Sequence, residues 1–378
     1  MKSRRYLCAE ILTAAALSGC SIDLSQSMAT ASVVPTTASA ETSTGPGPLA
    51  VTPTPQQNTM TGSTKIPVSW GDLNLSGSLV YVTAAFQGTT LSLEIRNLNL
   101  TTGEVTPLLR SDGWVDAAAV SPDDTQIVIS YSPPPGGPLG SQTILYTIPR
   151  DGSQLPKPLF EPPSHQDQYD QPVWSPDGRY VYFRDVNYQG PTVYSLMRVA
   201  VPGGIPEKLA DWAYWPRISP DGNRMTFVKI DPATSFNSLF VAAPDGTQIQ
   251  QVPLRGHYVP KVIDVPMFSP DGQSILFSAP DPTLSSLPNW IERMMGITVA
   301  FADGSIPSDW WSVPVTGGAP KQLTHVHELA LYGSFSSDLR FIASYTSDFI
   351  FVMNPDGTGV TLLVNDIGGV AGSVNWTR

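Results

Sequence analysis

Residues 170–178 read Asp170-Gln171-Pro172-Val173-Trp174-Ser175-Pro176-Asp177-Gly178, an apolar stretch that runs into a tight turn. The turn recurs as Ser121-Pro122-Asp123-Asp124, Ser219-Pro220-Asp221-Gly222, Ser269-Pro270-Asp271-Gly272 and, in altered form, Ser336-Ser337-Asp338-Leu339. Pro presets φ, Asp bonds its own backbone and Gly accepts a positive φ, so each copy is predicted to be a hairpin corner. The four closest copies are spaced 54, 44 and 50 residues apart. A period in this range is typical of four-stranded propeller blades.

Each repeat reads as four strands, A to D. Strand A ends just before the turn and strand B follows it, as at Ile127 to Tyr131; strand C follows B, as at Ile144 to Ile148. A second glycine turn then leads to strand D, as at Lys321 to Thr324. The last residues of the A strands are Val120, Trp174, Ile218, Phe268 and Phe335.

The two ends of the domain complement each other. Leu79 to Thr83, Leu91 to Leu98 and Glu104 to Leu109 read as B, C and D with no A strand, whereas Ser373 to Trp376 reads as an A strand alone. Joining the ends makes one blade and removes open sheet edges. We therefore predict an all-β, six-bladed propeller of four-stranded antiparallel blades, closed by the C-terminal strand.

The N-terminus reads as an export signal. A basic start is followed by a short apolar run that ends at Leu17-Ser18-Gly19-Cys20, which resembles the lipobox of bacterial lipoproteins. The resemblance makes Cys20 the lipidated first residue of the mature chain. Cys8 is the only other cysteine, so no disulfide is expected after cleavage. We predict a signal at 1–20, a disordered Ser/Thr/Pro linker at 21–65 and the propeller at 66–378.

The charge argues against nucleic acid as a partner. The chain carries a formal net charge of −11, and loss of the signal, with three basic residues and one acidic residue, takes it to −13. Such an acidic domain disfavours phosphate backbones. Many of the acids lie beside glycine in turns, so they support solubility rather than mark a ligand.

The repeat resembles the TolB-like propeller family, whose blades carry the Trp-Ser-Pro-Asp-Gly signature found at Trp174 to Gly178. The likeness covers about residues 70 to 378. TolB itself has an α/β domain before its propeller, and the linker takes that place here. Fold likeness alone does not establish function.

Strand direction alternates in a blade, so the A–B and C–D turns share one face and the B–C and D–A loops share the other. The second face holds the long loops, and binding residues concentrate in such loops. Five positions before the repeat's Ser, the D–A loops place a ring of residues near the channel mouth. The candidate binding rim is Asp116, Asp170, Tyr214 and Asp264, with Trp212 and Trp215 as an aromatic platform. The alternative is that these acids bond neighbouring groups and that the aromatic residues pack between blades.

Two further features lie on that face. Pro288 to Ile297 predicts a helix that presents Trp290, Met294 and Met295 to a partner or packs them on the blade. Gln322, His325 and His327 form a Gln-x-x-His-x-His segment that looks like the manganese-binding pattern of oligogalacturonate lyases, and His257 lies in a similar loop. The competing interpretation is that these are solvated or core histidines in an ordinary strand D.

The sequence contains no Gly-x-Ser-x-Gly elbow, phosphate loop or Cys-x-x-Cys pair. Two functional hypotheses follow. The first is a lipid-anchored extracytoplasmic scaffold, monomeric and without a cofactor, that docks an envelope protein, peptide or glycan at the channel mouth. The second is a metal-dependent lyase or hydrolase centred on Gln322, His325, His327 and His257, which requires a divalent metal.

Overall fold

The computed structural model describes residues 63–87, 90–134, 143–161, 167–187, 193–282, 307–329, 331–365, 367 and 372–378. These residues form six antiparallel sheets arranged as the blades of a propeller. No helix among them is long and apolar enough to cross a membrane. A single 3-10 turn, Gly71–Leu73, precedes the first long strand.

The strands are numbered in chain order. Blade 1 contains β1 (Thr64–Lys65), β2 (Ser78–Gln87), β3 (Thr90–Asn99), β4 (Glu104–Ser111) and the last strand, β25 (Val374–Thr377). Blade 2 contains β5 (Trp114–Val120), β6 (Gln126–Ser132), β7 (Ile144–Pro149) and β8 (Lys157–Pro158). Blade 3 contains β9 (Asp167–Trp174), β10 (Tyr180–Asn187), β11 (Val193–Ala200) and β12 (Glu207–Asp211).

The remaining strands follow the same order. Blade 4 contains β13 (Ala213–Ile218), β14 (Met225–Ile230), β15 (Asn237–Ala242) and β16 (Gln250–Gln251). Blade 5 contains β17 (Asp264–Phe268), β18 (Ser274–Pro280), β19 (Ser308–Pro314) and β20 (Lys321–Gln322). Blade 6 contains β21 (Tyr332–Phe335), β22 (Ile342–Tyr345), β23 (Phe349–Met353) and β24 (Thr361–Asn365).

The ring closes as predicted, because β25 pairs antiparallel with β2 and brings Trp376 opposite Leu79. The inner strands β5, β9, β13, β17, β21 and β25 contact one another in sequence, and β25 contacts β5. Thr64 and Lys65 pair with Val105 and Glu104, so strand pairing extends two residues ahead of position 66.

The repeated turns have one geometry. In each, the Ser hydroxyl donates to the Asp carboxylate two residues on, over 2.5–2.6 Å. The fourth residue takes a positive φ, which Gly178, Gly222 and Gly272 supply without steric cost. In the two altered copies Asp124 and Leu339 take that conformation instead, with φ of 56° and 61°. The side chain hydrogen bond therefore keeps the turn even where glycine is absent.

Apolar side chains fill the space between blades. Trp310, which is fully buried, crosses from blade 5 to blade 6 and donates its indole N–H to Ser344 Oγ over 2.9 Å. Phe227 and Phe277 are likewise fully buried in blades 4 and 5. Packing between sheets is thus the main contribution to stability, in keeping with a domain that lacks disulfides.

Candidate metal centre

Two carboxylates and two imidazoles meet at one end of blade 5. Asp281 directly follows β18, Asp309 is the second residue of β19, and His325 and His327 lie between β20 and blade 6. One potential ligand atom from each of the four lies within 4.8 Å of the other three. The cluster is on the face of the B–C and D–A loops, as the sequence predicts for the histidines.

Hairpin register explains why the two acids meet. Asp309 pairs with Ala279 across β18 and β19, so Asp281, two residues beyond Ala279, lies diagonally next to it. Residues on one face of adjacent strands at this offset are within side chain reach. Both carboxylates are buried, and Asp309 has no exposed surface.

Hydrogen bonds hold Asp309 in place. Its Oδ1 accepts from the Thr324 hydroxyl over 3.1 Å and from the backbone N–H of Val326 over 2.6 Å and of His327 over 3.3 Å. Its other oxygen, Oδ2, lies next to the imidazole of His327 and the amide of Gln322. Fixing one carboxylate oxygen by such bonds is how proteins orient a ligand for a metal.

His327 is held in an unusual position. It has a φ of +52°, a conformation that non-glycine residues rarely adopt, and its side chain is 35% exposed. Its Nδ1 lies 2.8 Å from Asp309 Oδ2 and 3.9 Å from Asp281 Oδ2, yet this buried nitrogen has no partner with hydrogen bond geometry among the described residues. A buried nitrogen close to two carboxylates but bonded to neither suits a shared cation.

Gln322 and His325 complete the group. Nε2 of Gln322 donates to Asp281 Oδ2 over 3.1 Å and to Asp309 Oδ2 over 3.3 Å, and it lies 3.1 Å from His325 Nδ1. The His325 side chain is 73% exposed, so the cluster has a solvent side. Nearby, burial and, secondarily, the charge of Asp281 raise the pKa of Tyr258 to about 12, which keeps that hydroxyl protonated.

The sequence named three of these five residues. Gln322, His325 and His327 do come together, whereas the exposed His257 is not one of the four ligand candidates. Asp281 and Asp309 were missed as ligands. The signal that could have found them is the β18–β19 register, which the long connection between the two strands hides.

Most of the predicted rim residues are buried, and Asp170 and Asp264 are hydrogen-bonded to neighbouring side chains. Asp170, with 1% of its side chain exposed, forms two hydrogen bonds of 2.7 Å with the guanidinium of Arg184. Arg184 in turn lies over the rings of Tyr194 and Tyr214, at 5.4 and 5.7 Å from the centroids. The Asp170–Arg184 pair therefore joins two strands of blade 3, and through the Tyr214 ring it also contacts blade 4.

Asp264 is also buried and bonded. Trp215 donates its indole N–H to Oδ1 of Asp264 over 3.2 Å, and the Tyr214 hydroxyl donates to the same oxygen over 3.5 Å. Asn237 donates to the Tyr214 hydroxyl over 2.7 Å. Trp212, in contrast, is half-buried and packs edge to face against Tyr194.

Asp116 is partly buried in β5. A binding role for this rim stays a prediction. Cys20 and the 1–20 signal, and Trp290, Met294 and Met295 of the predicted partner helix, lie outside the described residues.

The described residues thus define a six-bladed propeller with an acid and histidine cluster in one blade. Neither a protein-family model nor a curated protein sequence matches the chain. Solved structures do match. A TolB-type structure from Agrobacterium tumefaciens aligns with a TM-score of 0.51 at 17% identity, over 78% of this chain and 92% of that one.

Two other structures are similar. TolB from Acinetobacter baumannii aligns with a TM-score of 0.55 at 16% identity, over 79% of this chain and 66% of that one. An oligogalacturonate lyase in complex with manganese aligns with a TM-score of 0.47 at 13% identity, over 77% of this chain and 86% of that one. The first two establish that the fold is a TolB-like β-propeller.

Proposed function

We propose that the protein binds one divalent transition metal ion at Asp281, Asp309, His325 and His327 and uses it in a lyase or hydrolase reaction. The observation that carries the proposal is the convergence of four ligand atoms within 4.8 Å. Two carboxylate oxygens and two imidazole nitrogens form a donor set that suits manganese, iron, cobalt or zinc.

The residues fit such an ion on two grounds. The buried Nδ1 of His327 has no hydrogen bond partner among the described residues, and its lone pair could instead coordinate a cation. Two buried carboxylates so close together repel each other unless a cation lies between them. The four candidate ligands are therefore already close together. The Gln322 amide contacts both acids and His325, which holds these side chains near one another.

The chemistry follows from where the cluster opens. A metal in this position would polarise an oxygen of the substrate or activate a water. Buried Asp281 and Asp309 would neutralise its charge, while the exposed side of His325 leaves room for a substrate on the loop face. The Gln-x-x-His-x-His pattern looks like the manganese-binding pattern of oligogalacturonate lyases, and this resemblance supports an acidic oligosaccharide as the first substrate class to test.

An activity assay tests the catalytic part. Chelator-treated protein, reloaded with Mn²⁺ or Zn²⁺, is incubated with oligogalacturonate and neutral oligosaccharides. New double bonds are followed by ultraviolet absorbance and new reducing ends by a colorimetric assay. We expect metal-dependent cleavage that His327→Ala abolishes and His257→Ala, the matched control outside the cluster, leaves unchanged. No cleavage of any acidic oligosaccharide by the loaded protein, or equal loss in both variants, would contradict catalysis.

A second proposal is docking of an envelope protein, peptide or glycan on the same face. The half-buried Trp212, packed against Tyr194 in a D–A loop, supports it. The N-terminal sequence supports an envelope location with Cys20 as the lipid anchor. Affinity capture from envelope extract with wild type and Trp212→Ala should recover a partner that the variant loses. Equal recovery by both would count against docking at this loop.

A further inference from the structure

The central channel holds a cavity of about 320 Å³ on the opposite side of the molecule from the metal centre. It extends from the rings of Trp215 and Tyr332 to the turn residues Pro122 and Ser337. Its mouth therefore lies among the Ser-Pro-Asp-Gly turns. Loop lengths do not predict a site on this face, because its turns are short.

Alternate residues of the inner strands form two layers of the wall. The layer nearer the loop face consists of Ala117, Gln171, Trp215, Tyr332 and Ser373. The layer nearer the turn face consists of Ala119, Val173, Arg217, Ser334 and Asn375. In the first layer Trp215 and Tyr332 meet edge to face, with centroids 5.2 Å apart. These two rings form an aromatic floor at the end of the cavity nearer the loop face.

Arg217 is the single charged residue in these two layers. It lies on β13 between Pro216 and Ile218, and the only hydrogen bond of its side chain among the described residues goes from Nη1 to the Pro216 carbonyl, over 3.2 Å. No described acid pairs with it. Burial lowers the pKa of Arg217 to about 10, so it stays protonated at neutral pH. A guanidinium has five N–H donors, of which one forms a bond among the described residues, and Arg217 lines the cavity.

The other charges at the wall do not satisfy Arg217. Asp124 lies near the mouth, where it is already paired with Arg150 over 2.6 Å. Arg378 is exposed at the same end. Arg217 is consequently the one charged side chain of the two inner layers, in a protein whose overall charge is strongly negative. A partly buried cation without a paired acid is costly, and an anionic ligand would relieve that cost.

We propose that this cavity is a second binding site, which takes a small molecule with a single carboxylate paired to Arg217 and an apolar body against Trp215 and Tyr332. The planar fork of arginine matches a carboxylate in two hydrogen bonds. One carboxylate balances the one guanidinium, whereas a phosphate dianion would leave excess negative charge in a confined space.

The size of the cavity limits the ligand. About ten water molecules would fill it at ~30 Å³ each, which corresponds to an acid the size of benzoate. The aromatic floor favours a flat or branched apolar body. Neutral Ser334 and Asn375 contribute polar surface, but their side chains already bond backbone: Ser334 Oγ accepts from Trp376 N over 2.9 Å and Asn375 Nδ2 donates to Ala118 O over 2.8 Å.

Binding of benzoate, benzamide and inorganic phosphate to the purified full chain tests the proposal by saturation-transfer NMR and calorimetry. We expect saturable benzoate binding, with benzamide and phosphate weaker by roughly ten- to a hundredfold because the charged hydrogen bonds are lost or mismatched. The proposal is overturned if benzoate does not bind. It is also overturned if benzamide or phosphate binds as tightly as benzoate does.

Variants locate the site. Arg217→Met keeps the aliphatic stem and should reduce benzoate affinity to that of benzamide, and Arg217→Lys should retain part of it. Arg340→Met is the control, because Arg340 is exposed and paired with Asp338 on the same face. Equal benzoate affinity in wild type and Arg217→Met would overturn the assignment. The comparison of benzoate with benzamide on wild type decides the matter even if Arg217→Met fails to fold.

A last experiment distinguishes two sources of the carboxylate, a small free acid and the C-terminus of a peptide. Acetyl-Gly-Phe with a free terminus is compared with its amide. If the free peptide binds more tightly than benzoate and the amide binds weakly, the site is assigned to a chain terminus, with Arg217 still the carboxylate partner. Equal binding of peptide and amide contradicts that role.

Discussion

Replacing Arg184 by Met tests whether the predicted rim acid Asp170 supports the fold. Arg184 and Asp170 are 11% and 1% exposed and share two hydrogen bonds of 2.7 Å. Removing the guanidinium leaves a buried carboxylate without its cation, and such losses cost about 3 to 5 kcal/mol. We therefore expect the free energy of unfolding to fall by about that amount.

The matched control is Arg179→Met. Arg179 also pairs with an aspartate, Asp177, over 2.5 Å, but the two side chains are 76% and 45% exposed. An exposed pair of this kind contributes little to stability, because water screens the two charges. Urea titrations followed by tryptophan fluorescence compare the two variants, with the slope checked to confirm a shared unfolding transition.

A double variant sharpens the test. Asp170→Asn with Arg184→Met removes both charges, so it should be more stable than Arg184→Met alone. If Arg184→Met were as mild as Arg179→Met, or the double variant were worse than the single one, Asp170 would not depend on Arg184. A supporting role of Asp170 inside the fold would then be refuted.

Two further predictions concern the repeat and its closure. Gly77→Ala should destabilise the domain beyond the ~1 to 2 kcal/mol cost of a positive φ, because its Cβ would lie 2.1 Å from the Thr377 carbonyl at the closing seam. Gly178→Ala, which has a positive φ and no atom within 4 Å of the added Cβ, isolates that backbone cost, and equal losses in thermal unfolding would argue against a seam at Thr377. The hydrogen bond from Ser219 lowers the pKa of Asp221 from 3.8 to about 2, so the stability it contributes is present above pH 3.8 and lost as pH falls toward 2. Ser219→Ala should raise that pKa toward 3.8 in a carboxyl NMR titration, and an unchanged value would contradict the turn geometry.

The architecture could be predicted because its signals are local. Each Ser-Pro-Asp-Gly turn marks a hairpin, and the strands between turns alternate with period two. Counting them predicts that the strand of Trp376 completes blade 1, where Trp376 pairs with Leu79. Leu339 shows why the altered fifth copy still works, since the bond from Ser336 to Asp338 is retained.

The sites were harder to predict because they depend on contacts between distant residues. Asp281 and Asp309 meet through strand register across a long connection, which no local pattern records. Asp170 was expected at an open rim, but Arg184 on the next strand covers it. Arg217 occupies an inner-strand position filled by neutral residues in the other wall-lining strands. Its significance appears only when the channel around it is seen.

Calorimetric titration of metal into chelator-treated protein tests the central claim most directly. With Mn²⁺ or Zn²⁺ we predict one ion per chain. Asp309→Asn should weaken binding by at least about 10- to 100-fold, the cost of losing even an outer-shell partner, while His257→Asn should bind as wild type does. Wild-type protein that binds no metal, or Asp309→Asn that binds it equally well, would contradict a metal centre in blade 5.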